Sequence, residues 1–323
     1  MSRCALVTGA TGGFGRALVQ ALLEKGYEVR ATGRDWTVGT ELAALGAAFR
    51  PADLTSDPPA PLVADIDVVF HLAALSAPWG RMADFRAINI EATRTLLAVA
   101  RAAGCARFVH ISTPSIFAEP RSRLGLSEDS PPARRFANAY GATKYAGEQL
   151  VRAADGPDLR TVVIRPRAIV GPHDRVLLPR LMRAVESGRV PLPGGGAGLV
   201  ELTDVRDVVA ATIAAAETDA AAGRTFNVSG GAPMTARAVV ERVCAVLGKR
   251  PRLIDLPVRA AMLLAGAAEL AARLRGREPQ VTRYAVMTLA WSQTFDLRAA
   301  REVLGWTPRV HPDAAIAHAL KAA

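Results

Sequence analysis

At 323 residues, half of them hydrophobic, the chain is long enough to bury a sizeable core and too apolar to be largely disordered. Its formal net charge of +10 comes mostly from scattered arginines; without basic clusters interleaved with aromatics, no nucleic-acid partner is expected. Three cysteines, Cys4, Cys105 and Cys244, are odd in number, widely spaced and without histidine neighbours, which predicts a reducing compartment and no metal site.

The opening MSRCALVTGA runs directly into a strand pattern and has neither signal-peptide nor transit-peptide character, so a cytoplasmic location is expected. Strand patterns ALVTG, EVRATG, DVVFHLAA, RFVHIST and TVVIRP alternate with helical ones from Phe14 to Lys25, around 87–103 and from Tyr140. The alternation predicts an α/β fold, a doubly wound parallel sheet of the Rossmann kind with helices on both faces. Beyond RPRAIVGP the pattern changes: PLPGGGAGLV at 191–200 is a Gly/Pro-rich connection, LVEL and TFNVS are short strand candidates, and the rest is mostly helical. A cofactor-binding domain is therefore expected over 1–165 plus about 199–228, and a smaller, mostly helical substrate domain over about 166–198 and 229–323. The polar loop 117–138 is long for a compact domain, which suggests a functional role. At 257–278, PVRAAMLLAGAAELAARLRGRE has an uninterrupted apolar run only from Ala260 to Ala268, too short for a bilayer span of about 20 residues. It predicts a buried or substrate-covering helix, with weak contact with a membrane surface as the alternative.

Gly9, Gly12 and Gly15 follow the first strand and open the first helix. In such a turn the first glycine permits the bend, the second lets backbone approach a pyrophosphate and the third lets helix and strand pack closely; the helix N-terminus supplies free N–H groups. Thr11, Gly13 and Phe14 belong to the same expected cofactor site. NAD sites usually carry Asp or Glu at the end of the second strand, where this chain has Gly33 followed by Arg34. A guanidinium can fork onto a 2′-phosphate, so NADP is expected, while Asp35 keeps NAD possible. Asp53, with Leu54, ends the third strand where a carboxylate could accept from the adenine amino group. Leu72, Ala73 and Ala74 end the fourth strand with residues that allow close approach of the cofactor; the neighbouring His71 reads as structural.

Tyr140 and Lys144 lie four residues apart, on one face of a helix. A free tyrosine, with pKa near 10, is a poor acid or base at neutral pH, and a nearby ammonium lowers that value. The pair suits a proton donor or acceptor beside a hydride carrier, with the lysine holding the nicotinamide ribose.

With these residues the chain resembles the extended short-chain dehydrogenase/reductase family. TGATGGFG, DL at 53–54, HLAA, NIEAT from Asn89, HISTPSIF, YGATK and RPRAIVGP occur in the family's order and approximate spacing. The resemblance implies Tyr140 as general acid/base, Lys144 as its ribose-binding partner and Thr113 as the hydroxyl on the substrate carbonyl, with Ser112 and Ser115 as alternatives. It implies that Pro166 and Arg167 lie near the nicotinamide, and a homodimer formed through the helices after Arg86 and at Tyr140. Arg167 and Ala168 stand where nucleotide-sugar epimerases and dehydratases usually have an aromatic and an asparagine. APWGR at 77–81, RPRAIVGPHDRVLLPRL and the C-terminal EPQVTRYAVMTLAWSQTFDLRAAREVLGW instead resemble the 3β-hydroxysteroid dehydrogenase branch, and within it the bacterial 2-alkyl-3-oxoalkanoate reductases.

That resemblance implies an NADP(H)-dependent ketoreductase or alcohol dehydrogenase on a bulky apolar small molecule. Ser76, Trp79, Ser115, Met287, Leu289 and Trp291 are candidates to line its pocket, and Arg81 or Arg167 to meet a substrate carboxylate. Two other classes remain open: a nucleotide-sugar epimerase or dehydratase with tightly held NAD, and a redox-sensing protein that keeps the fold without the chemistry.

Overall fold

A computed structural model describes residues 3–174 and 177–320. Seven parallel strands form the central sheet: β1 (Cys4–Thr8), β2 (Glu28–Thr32), β3 (Ala48–Phe49), β4 (Val68–His71), β5 (Arg107–Ile111), β6 (Arg160–Pro166) and β7 (Thr225–Val228). Their order across the sheet is β7-β6-β5-β4-β1-β2-β3, with every neighbouring pair parallel. The chain reverses its direction of winding between β1 and β4, and the crevice beyond their C-terminal ends is where such sheets bind ligands. Covered on both faces, the inner strands read as continuous apolar runs rather than alternating ones: Ala5, Leu6 and Val7, or Phe108 and Val109, have no exposed surface.

Helix α1 (Gly13–Glu24) buries Leu18, Val19 and Leu22, one face of a 3.6-residue period, against this sheet. A π-turn at Ala87–Glu91 leads into α2 (Ala92–Ala102). Helix α3 (Ala139–Ala153) is capped by the Asn138 side chain, which accepts from Gly141 N. Helix α4 (Val205–Glu217) buries nine of its residues, among them Val208, Ala211 and Ala215 in the same core as the sheet.

The sheet receives its last strand only after the chain has left and returned. Between β6 and β7, Arg189–Pro193 pairs in parallel with Arg252–Leu256, and Leu199–Val200 pairs antiparallel with Met234–Thr235. Phe295, Leu297, Ala300, Leu304 and Trp306, from the C-terminal quarter of the chain, pack into the same core as the sheet. The long loop 117–138 also contains a strand, Arg123–Leu126, which pairs with Gln293–Phe295.

Helix α5 (Val258–Arg275) packs on α6 (Arg283–Ala290) through Ala261 and Ala265, which share a small core with Val286. Its opposite face carries Leu263, Leu264, Leu270 and Leu274, and the first and last of these are 76% and 82% exposed. Among the described residues no helix is long and apolar enough to cross a membrane.

Candidate active site

The turn after β1 bends at Gly9, whose φ is +67°. A Cβ there would lie 2.8 Å from the backbone nitrogen of Ala73, just past β4, so only glycine lets the two strand ends meet. The meeting is tied further by Thr8, whose carbonyl accepts from Leu72 N (3.3 Å) and whose hydroxyl accepts from Ala73 N (3.2 Å). A Cβ on Gly15 would collide with the Gly9 carbonyl, which is the close helix-turn packing expected there. Gly12 caps α1 with its backbone alone, the first turn of α1 holds no acidic residue, and a Cβ on Gly12 would meet only the Gly9 carbonyl, at 3.4 Å. Free N–H groups at the start of α1 and an open glycine face form a cradle that fits a pyrophosphate. Gly13 sits under the His173 carbonyl, 2.6 Å from an added Cβ, while Phe14 packs against the core.

At the end of β2, a Cβ on Gly33 would stand 2.6 Å from the Thr11 hydroxyl, so no acidic side chain fits here without displacing Thr11. The Arg34 side chain is 78% exposed, with Asp53 Oδ2 at 3.6 Å. Asp35 caps the helix Trp36–Ala44 by accepting from Val38 N. Asp53 is held well ionised, first by the hydroxyl and amide of Thr55 and then by Arg34. Leu54 packs under the adjoining core.

Tyr140, in the first turn of α3, has the hydroxyls of Ser76 and Thr113 as hydrogen-bonding neighbours; burial nevertheless raises its pKa, and Tyr284 adds to the rise. The Thr113 hydroxyl donates to Ser115 Oγ (3.0 Å) and accepts from Ser115 N (3.2 Å), and Ser115 Oγ lies 2.7 Å from the Tyr284 hydroxyl. Five hydroxyls from four parts of the chain thus converge: Ser76 after β4, Thr113 and Ser115 after β5, Tyr140 on α3 and Tyr284 on α6. Ser112 is turned away and donates to Glu148 (2.6 Å), whose carboxylate also takes the fork of Arg165.

Lys144 is 2% exposed. Its ammonium donates to the Ile111 carbonyl at the end of β5 and has His110 Nε2 at 3.4 Å; burial lowers its pKa to about 7. The sequence-based expectation that this ammonium makes the phenol more acidic is not expressed in this geometry, in which the phenol is raised. His71 bonds Thr8 Oγ1 (2.8 Å) and Thr93 Oγ1 (2.9 Å) through its two ring nitrogens, and burial lowers its pKa to about 3. It is a neutral cross-link between β1, β4 and α2. Asn89, in the π-turn, accepts from Leu75 N (2.9 Å) and donates to Thr143 (3.0 Å), fixing the loop that carries Ser76 against α3.

Arg167, just past β6, lines a cavity with Ala118, Glu119, Arg121, Met287 and Trp291. Its guanidinium lies over the Phe295 ring, 6.0 Å from the centroid. Pro166 itself is held in the sheet, in register with Val228. Trp79 does not line that cavity; Arg273 of α5 covers its ring at 5.7 Å. Leu289 is also outside it, its carbonyl packed 2.7 Å from where a Cβ on Gly198 would be. Arg81 is exposed at the start of the short helix Met82–Arg86.

Sequence reasoning missed Tyr284 and the roles of Asn89 and Glu148. All three lie in segments already singled out: NIEAT, the helix that carries Lys144, and the C-terminal EPQVTRYAVMTLAWSQTFDLRAAREVLGW. The role of Tyr284 was not legible there, because its partner Ser115 lies 169 residues away.

Residues 5–229 match the NAD dependent epimerase/dehydratase family. The chain is 35% identical to a 2-alkyl-3-oxoalkanoate reductase of Stenotrophomonas maltophilia, covering 94% of each chain. It is 36% identical to a 4-hydroxy-2-methyl-3-oxo-4-farnesyl-3,4-dihydroquinoline-1-oxide ketoreductase of Stigmatella aurantiaca, covering 94% of this chain and 92% of that one. Among solved structures, MoeE5 in complex with UDP-glucose and NAD is similar with a TM-score of 0.77 and 27% identity, over 98% of this chain and 97% of that one. The glycine cradle, the hydroxyl cluster and these likenesses together place the chain in the NAD-dependent epimerase/dehydratase family, in the 3β-hydroxysteroid dehydrogenase-like branch of the extended short-chain dehydrogenase/reductases, as an enzyme acting on CH–OH groups.

Proposed function

We propose that the chain is an NADP(H)-dependent ketoreductase that interconverts a ketone and a secondary alcohol on a bulky apolar small molecule such as a 3-oxo acid. The observation that carries this reading is the buried Tyr140 phenol set among the Ser76 and Thr113 hydroxyls, with Ser115 linking Thr113 to Tyr284. Bound NADPH would supply a hydride to the carbonyl carbon. The chain's own part is to hold the carbonyl oxygen at the Thr113 and Ser76 hydroxyls and to give it the Tyr140 proton. A phenol kept protonated by burial is the right form for reduction. Lys144, four residues after Tyr140 on the same helix, holds the ribose in this scheme, and its pKa of about 7 lets it gain a proton when an anionic cofactor arrives.

Three features support NADP. The Thr11 side chain leaves no room for an acid at Gly33, Asp35 is engaged as a helix cap, and Arg34 is exposed beside the crevice. The exposed leucines of α5 are bordered by Arg259, Arg273 and Arg275 on a strongly basic chain, which favours contact with an anionic lipid surface as the source of an apolar substrate. A panel of 2-alkyl-3-oxo acids, sterols and UDP-sugars, followed at the nicotinamide absorbance with NADPH and NADH, tests the reading. NADPH oxidation with an oxo acid is the expected result; conversion of a UDP-sugar without net change in absorbance would favour the epimerase alternative, to which the likeness to MoeE5 points.

A further inference from the structure

We propose that Arg167 is the carboxylate anchor of the substrate site, so that a free carboxylate of the substrate is what the site selects. This inference rests on the ketoreductase reading above and assigns the acid group within it. Arg167 is only 7% exposed, and its Nε is buried without a hydrogen-bond partner among the described residues. The carboxyl that acts on it, Glu201, is engaged elsewhere: the Ser229 hydroxyl donates to one oxygen and the Phe295 amide to the other at 3.4 Å. A buried guanidinium left with an open donor is costly until an anion meets it, and its planar fork matches a carboxylate.

The surroundings specify which anion. The other cation on the cavity wall, Arg121, is already paired with Glu119 at 2.6 Å, and Glu119 also accepts from Arg134 N. One uncommitted positive charge suits a monoanion rather than a phosphate dianion. Met287 and Trp291, on the same wall, offer apolar surface for an alkyl chain. Tyr284, which reaches the hydroxyl cluster through Ser115, also acts electrostatically on Arg167. Ala168, next in the chain, has φ +40°, a strained value for a residue with a Cβ, of the sort kept where a neighbouring side chain must be aimed.

The test uses the whole protein with NADP+, a 2-alkyl-3-hydroxy acid and its methyl ester, in wild type, Arg167→Met and Arg167→Lys. Wild type is expected to prefer the acid by about 10- to 100-fold in kcat/KM, the worth of a charge-assisted hydrogen bond. In Arg167→Met that preference collapses toward one, mostly through KM, and Arg167→Lys recovers part of it. An equal preference in wild type, or a preference that survives in Arg167→Met, overturns the proposal. A second measurement does not need turnover: a saturated 2-alkyl carboxylic acid raises the Tm of the wild-type protein with NADP+, whereas its methyl ester does not, and Arg167→Met loses the shift. Retained acid-specific shifts without turnover of any hydroxy acid would sink the ketoreductase reading while supporting the anchor. Equal shifts from acid and ester would overturn the anchor.

Discussion

Tyr140 reaches the crevice as a protonated phenol, since burial raises its pKa despite the hydrogen bonds of Ser76 and Thr113. Removing the hydroxyl in Tyr140→Phe takes away the proton donor and leaves the ring in place, so kcat is expected to fall by about 10²- to 10⁴-fold; absorbance at the nicotinamide band measures it. Lys144 gives a pH signature. Burial lowers its pKa from 10.5 to about 7, so above that pH the cofactor-free protein holds a neutral amine. An anionic cofactor favours the ammonium, which raises the pKa on binding. NADPH binding at pH 8 is therefore expected to take up protons, seen as a buffer-dependent enthalpy in calorimetry, and affinity should weaken as pH rises from 7 to 9. In Lys144→Met this proton uptake disappears. The lysine also affects stability with the same sign logic: between about pH 7 and 10.5 the unfolded chain holds the extra proton, so its contribution to stability rises with pH across that window.

Helix α5 shows how one element can face two ways. Ala261, Ala265 and Ala272 are buried, and Ala261 and Ala265 lie toward α6, the helix that carries Tyr284 and Met287, while the leucines point to solvent. Leu263→Ser combined with Leu270→Ser should abolish co-sedimentation with anionic vesicles and leave Tm within about 1 °C, because exposed leucines add little to folding. Loss of Tm without loss of vesicle binding would refute the lipid contact. Helix α3 is tied to β6 by the buried pair of Glu148 and Arg165, with Ser112 as third member. The sequence shows the amphipathic period of both helices. It does not show which partners their buried charges find, since Glu148 and Arg165 lie 17 residues apart and meet only when α3 lies on the sheet.

At the scale of the molecule, segments far apart in the chain share one core. The final strand of the sheet, Thr225–Val228, comes 59 positions after Pro166 ends the strand beside it, and Phe295, Leu297, Ala300, Leu304 and Trp306 pack into the same core as the sheet. Trp306 is 6% exposed and its indole N–H donates to the Asp207 carbonyl at 3.0 Å. Asp207 also accepts from the amides of Arg309 and Val310, pinning the C-terminal turn to α4. Trp306→Ala should cost about 3–5 kcal/mol. It should lower the midpoint of a single denaturation transition, read by far-UV circular dichroism, rather than split it into two.

By itself the sequence determined the parallel sheet, the glycine cradle and the Tyr140–Lys144 face. These rest on local periodicity, on turn chemistry and on the i to i+4 geometry of a helix, all of which are written within a few residues. The tertiary structure decided what depends on long-range packing. It brought Tyr284 to Ser115, turned Ser112 away to Glu148, set the Lys144 ammonium on the Ile111 carbonyl and left the Arg167 guanidinium buried with an open donor. Burial and the distance between groups far apart in the chain fix a pKa and the availability of a donor, and neither exists until the sheet, α3 and α6 are packed together.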